Sequence, residues 1–192
     1  MREIWQPLEL TQSPKRAFIP GMIRFFVLLC LAMAAAGCSA PEGPANRLEK
    51  ANVLPLALDD SYQFRKVQQS IWDNTKIVPS TISEAANFER QRTYWGAIDG
   101  RDYAERNGNY YNFFWRAKNS SDVTLRFEYR QAGLSNDVLA KERYYPGVHG
   151  SRKSSFEVSG DEYLESGRVT AWRALLIVDG KIVALRQSYM WK

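Results

Sequence analysis

From Tyr110 onward the chain alternates apolar and polar residues at a period of two. In VTLRFEYRQ (123–131), Val123, Leu125, Phe127 and Tyr129 fall on one face. Thr124, Arg126, Glu128 and Arg130 fall on the other. That is the pattern of an antiparallel strand with one face in a core and the other in water. YYNFFWRAK (110–118) places Tyr111, Phe113, Trp115 and Ala117 on one face and Asn112, Phe114, Arg116 and Lys118 on the other, and Asn119-Ser120-Ser121-Asp122 supplies turn chemistry. VLAKERYYP (138–146), SSFEV (154–158), GRVTAWRALLIV and KIVALRQSYMW read as further strands. Asp179-Gly180 joins the last two, and both central positions of a type I′ turn need positive φ. A two-residue turn there sets Val178 opposite Lys181, Leu176 opposite Val183, Trp172 opposite Gln187 and Arg173 opposite Arg186. The loop GDEYLESG (160–167) closes one end, with Tyr163 plugging inward.

The earlier part is less regular. Residues 62–78 read as a short helix or strand. NFERQRTYWGAI (87–98) reads as a first strand, although Glu84 to Arg92 also fits a helix. Residues 99–109 read as a loop with one helical turn around Tyr103. Six or seven strands without a βαβ pattern predict an all-β fold, an antiparallel β-sandwich. Over residues 110–191 this pattern resembles immunoglobulin- and fibronectin-type domains, and is similar to bacterial lipoproteins with such a C-terminal half. The resemblance implies an immunoglobulin-like sandwich of about seven strands over residues 61–192. It departs from antibody domains in having no inter-sheet cysteine pair.

A different pattern precedes the domain. Met22 to Ala40, MIRFFVLLCLAMAAAGCSA, has a cationic start at Arg24, an apolar run from Phe25 to Met33, and small residues leading to Cys38. The fifteen residues from Ile23 to Gly37 match a signal-peptide core and are short for a permanent span. Ala35-Ala36-Gly37-Cys38 resembles the lipobox of bacterial lipoproteins, with Ala35 where leucine is usual. The resemblance implies that Cys38 is diacylglycerated, that the chain is cut before it, and that the new amine is acylated (palmitate-type chains). Ser39 in place of aspartate implies the outer membrane, with the domain in the periplasm or at the surface. An ordinary secretory signal and an uncleaved anchor helix are the other readings. Residues 1–21 carry Pro7, Pro14 and Pro20, which preclude a continuous helix. They fit an upstream segment ahead of a true start at Met22, or a long leader. Residues 38–60 read as a proline-containing tether in which Val53 to Leu58 is apolar enough to dock on the domain.

Composition narrows the function. Removing residues 1–37 lowers the net charge from +5 to +3, and the cations are dispersed, which gives no nucleic-acid signal. Cys30 leaves with the signal and Cys38 is the lipid site, so the 155-residue mature chain has no disulfide. The single histidine, His149, argues against a Ser-His-Asp triad or a histidine-rich metal site. Asp59/Asp60 and Asp161/Glu162 are sequence neighbours that a strand would point apart. No cofactor or metal motif is present, and a non-enzymatic role is expected. If Arg173 and Arg186 face one another, two like charges meet. Glu128 could bridge such arginines in a structural network. Alternatively Arg126, Arg130, Arg173 and Arg186 form a basic face for an anion, flanked by Tyr110, Tyr144, Tyr145, Tyr189 and Trp191 as stacking platforms. Three classes result: a membrane-anchored lipoprotein with an interaction or envelope-structural domain, a glycan- or anion-binding module of the envelope, and a hydrolase with convergent carboxylates.

Overall fold

The computed structural model describes residues 43–48, 51–75 and 83–191. Residues 1–21, the segment 22–37 and Cys38 lie outside the described residues. The elements are β1 (Asn46–Leu48), β2 (Tyr62–Trp72), α1 (Glu84–Thr93), α2 (Gly100–Arg106), β3 (Gly108–Gln131), β4 (Leu139–Ser159), α3 (Asp161–Ser166), β5 (Val169–Val178) and β6 (Lys181–Gln187).

Two strands set the architecture. The expected strands at 110–118 and 123–131 are one 24-residue strand, β3, and those at 138–146 and 154–158 are one 21-residue strand, β4. The turn residues 119–122 form a corner instead, where the β3–β4 register shifts on both sides of Ser121. Gly147 and Gly150 in β4 hold positive φ (55° and 87°) at the same corner, a conformation that costs glycine nothing. Tyr111 and Phe127 lie sixteen residues apart, which in a straight strand is about 50 Å. Their ring centroids are 4.7 Å apart. The β3–β4 ribbon therefore folds over on itself.

The result is an antiparallel β-sandwich. One layer runs β2–β3–β4 through the first half of β3, with Tyr111 between Gln69 and Phe156. The other runs β1–β4–β3–β5–β6 through its second half. Between them lie Tyr111, Phe113, Trp115, Val123, Leu125, Phe127, Tyr129, Phe156, Trp172 and Leu176, all buried, as the period-two pattern places the β3 members. The described residues form one compact unit.

Local chemistry explains the rest. Asp179 and Gly180 both have positive φ (48° and 71°), as the Asp-Gly turn requires. Tyr163, on α3, is buried as a plug. The expected strand over 87–98 is a correction: Ser83 Oγ accepts from the Ala86 amide, and α1 runs to Thr93. Glu84 in its first turn and Arg90 and Arg92 in its last suit the helix dipole. Asp99 and Asp102 form a capping box on α2. Gly108 is required sterically, since a Cβ there would sit 2.4 Å from the Val158 carbonyl oxygen.

The segment 51–59 is docked. Leu56 bridges Ile182 in parallel, and Ala57 N and Asp59 N donate to the Ile182 and Val183 carbonyls at 2.9 and 3.0 Å. β1 pairs at the opposite edge of the same layer. Between the two, the Asn52 carbonyl accepts from Arg126 Nη1 at 2.7 Å. The chain is thus a strap across the outer face of the five-stranded layer.

The corner is pinned by Asp122, which accepts from Tyr144 Oη at 2.6 Å and from the Gly147 amide at 2.8 Å. These two donors hold its carboxyl below the usual carboxylate range. A folded-state pKa below the unfolded one stabilises above the unfolded value and is lost as pH falls through the folded value. Relative to wild type, Asp122→Asn is therefore expected to be destabilised at pH 5 and to lose that deficit on acidification below about pH 4. Tm measured for both proteins from pH 5 to pH 2 tests this; parallel curves would refute it.

Candidate functional site

The four arginines singled out by sequence do not form one exposed cluster. Arg126 is 7% exposed; its Nε is 2.5 Å from Glu142 Oε1 and its Nη1 3.8 Å from Glu128 Oε1. Arg173 Nε is 2.5 Å from Glu128 Oε2, and Glu128 itself is 2% exposed. The guanidinium groups of Arg130 and Arg173 each lie 4.9 Å from the centre of the buried Trp191 ring. Glu128 thus bridges Arg126 and Arg173, and the strap covers one end of this network while the C-terminal tryptophan covers the other. Arg186 is exposed and stands opposite Ala174, whereas Arg173 stands opposite Gln187. A register shift between Leu176 and Ile177 removes the expected Arg173–Arg186 pair and sets Leu176 opposite Ala184. It lets Val183 and Ala184 both be buried.

A second set of cations gathers on the outer face of the three-stranded layer. Lys66, Phe114 and Lys153 share one row of the β2–β3–β4 register, and Gln63, Arg116 and Ser151 share a neighbouring one. Arg65 sits in the bulge of β2 between Phe64 and Lys66, and Lys118 follows Arg116 on the same side of β3. The ammonium groups of Lys66 and Lys153 each lie 6.0 Å from the Phe114 ring centre. Such contacts contribute about 0.5–1 kcal/mol at exposed sites and orient the charge. Among the described residues Arg65 meets only the Gln63 side-chain oxygen, at 3.5 Å. No carboxylate of the described residues pairs with Arg65, Lys66, Arg116 or Lys153. Lys118 acts on Asp59, whose carboxyl is held low chiefly by the Ser61 amide and hydroxyl. The sequence had already put Phe114, Arg116 and Lys118 on one face of β3. It could not bring in Arg65, Lys66 and Lys153 without the register.

From this row an open groove of about 1430 Å³ extends along the same face and round the β4 edge. Its sheet side carries Gln68, Asn112, Lys153 and Ser155; α1 contributes Ala86, Glu89 and Arg92, and the entering chain Pro44 and Ala45. Tyr110 donates to the Arg106 carbonyl at 2.7 Å. Burial pushes its phenol up to about 12, so it stays neutral. The α1–α2 segment leaves Phe88, Trp95 and Ile98 exposed, at 64, 84 and 89%.

The remaining candidates disperse. His149 is exposed at the β4 corner. Glu162 accepts from Lys141 Nζ at 2.7 Å and from Tyr129 Oη, whereas Asp161 is exposed. Among the described residues no three His, Cys, Asp or Glu side chains could hold a metal ion together. Of the suggested stacking platforms, Tyr144 and Tyr189 are exposed and Trp191 is buried. Trp191 is instead a structural ring beneath two arginines.

No family model matches the chain, and no curated protein does. Among solved structures it is similar to a protein from Akkermansia muciniphila, at 12% identity over 68% of this chain and 70% of that one, with a TM-score of 0.42. A likeness of that size carries no argument.

Proposed function

We propose that the chain is an outer-membrane lipoprotein, anchored through acylated Cys38, whose β-sandwich is a non-enzymatic interaction or envelope-structural domain. The observation that carries this reading is the run from Met22 to Gly37 ending in Ala35-Ala36-Gly37-Cys38. The start of the fold supports it, since Asn46 opens β1 eight residues after Cys38. A chain held at Cys38 would keep its domain close to the membrane, on a tether that ends where β1 pairs with β4. Three acyl chains, at about 0.8 kcal/mol per buried methylene, amount to a permanent anchor.

Intact mass of the membrane-extracted protein tests the reading. A chain starting at Cys38 with three acyl chains is expected. Cys38→Ser is expected to lose the acyl mass and to leave the outer-membrane fraction. A mature chain starting at Ser39 or later, or a Cys38→Ser variant that fractionates like wild type, would overturn it.

A further inference from the structure

We infer that the outer face of the β2–β3–β4 layer, centred on Lys66, Phe114, Arg116 and Lys153, docks on the phosphate headgroups of an anionic membrane surface. Three strands distant in sequence bring these cations into adjacent rows. Like charges gathered this way oppose folding unless something neutralises them. In the five-stranded layer the buried arginines have carboxylates to do this; here no carboxylate of the described residues does. The Phe114 ring holds two ammonium groups at its face, keeping them at the surface without burying them. An anion from outside the chain would neutralise this face.

Two further observations select a membrane over a soluble polyanion. Pro44 and Ala45 line the groove that runs from this face round the β4 edge, so the chain enters the domain at the far end of the same groove. Pro44 is the sixth residue after Cys38, a reach of at most about 20 Å. The α1–α2 segment, whose first helix lines that groove, exposes Phe88, Trp95 and Ile98. Exposed aromatic and aliphatic side chains, like exposed lysines, suit the headgroup boundary, where both can be solvated as they require. The proximity step rests on the anchor proposed above; the charge and apolar observations do not.

The test therefore uses the chain from Ser39, which contains the whole compact unit and no acyl site. Its partitioning onto vesicles of phosphatidylglycerol mixed with phosphatidylethanolamine is compared with vesicles of phosphatidylethanolamine and phosphatidylcholine alone. Binding to the anionic vesicles only is expected, weakened about tenfold or more between 0.1 and 0.5 M salt. Each cation near such a surface is worth about a fivefold factor, so K66Q/R116Q/K153Q is expected to bind roughly a hundredfold more weakly. R168Q/K181Q/R186Q removes the same charge from exposed positions elsewhere and is expected to keep most of the binding. Equal loss in both triple variants would reduce the effect to net charge and overturn the site. So would absence of vesicle binding by the unsubstituted chain, or binding of soluble polyphosphate without vesicle binding. None of these outcomes touches the acyl mass at Cys38, so failure here and failure of the anchor are read separately.

Discussion

Glu128→Ala is expected to destabilise the domain by about 3–5 kcal/mol, because it takes the carboxylate from Arg173 and leaves the buried Arg126 with Glu142 alone. Glu128 is 2% exposed and Arg126 7%, so water reaches neither readily. Arg173 is more open, with its side chain 38% exposed, and contributes less to the penalty. For a domain of this size the loss corresponds to a fall in Tm of roughly 10 °C or more. The variant should also loosen the strap, since Arg126 is fixed by Glu128 and Glu142 while it donates to the Asn52 carbonyl. Faster amide exchange at Ala57 and Asp59, whose N–H groups bond to β6, is the corresponding readout. Replacing the group with apolar residues of similar volume (Arg126→Met, Glu128→Leu, Arg173→Met) should be far milder, because only Glu142, which is partly exposed, then loses its partner. A loss below about 1 kcal/mol for Glu128→Ala, by urea titration, would mean that water screens the network and that the strap is held by its backbone bonds alone.

That network also marks how far the sequence could be read. The faces of β3 were legible because each strand half repeats with period two, and burial follows that period from Tyr111 to Ala117, whereas in the second half Arg126 and Glu128 on the outer face are buried as well. Asp179-Gly180 located the last hairpin because few residue pairs tolerate its dihedral angles. The turn did not fix the register beyond it. A single shift between Leu176 and Ile177 moves every later pairing by one residue, and nothing in KIVALRQ announces it. The predicted clash of Arg173 with Arg186 disappears for that reason, while Glu128 as a bridge survives because it depends on the β3–β5 register, which sets it opposite Arg173. The helix at 84–93 was ambiguous because Phe88 is its only large apolar side chain, and that side chain is exposed. Without a buried stripe there is no period to find. The basic face was half visible, in Phe114, Arg116 and Lys118; its other half lies on strands whose pairing with β3 only the fold determines.

Phe127→Ala is expected to be comparably damaging, by a different mechanism. The ring is fully buried and lies 4.7 Å from Tyr111, 5.6 Å from Phe113, 5.1 Å from Tyr129 and 5.4 Å from Phe156, centre to centre. Three of those rings belong to the other layer, so Phe127 is a main contact across which the folded ribbon closes. Removing it costs the transfer free energy of a phenyl group and leaves a cavity, together about 3–5 kcal/mol. Phe127→Leu refills most of the volume and should recover a large part of the loss. Phe88→Ala, at a ring 64% exposed on α1, should change stability by less than about 0.5 kcal/mol. The three variants, unfolded in urea side by side, separate the two roles of aromatic residues in this chain. Equal costs at Phe127 and Phe88 would mean that the layers do not close on the Phe127 cluster. A large cost at Phe127 alone leaves the exposed Phe88 of α1 without a part in folding, and its exposure becomes a matter of what the domain touches.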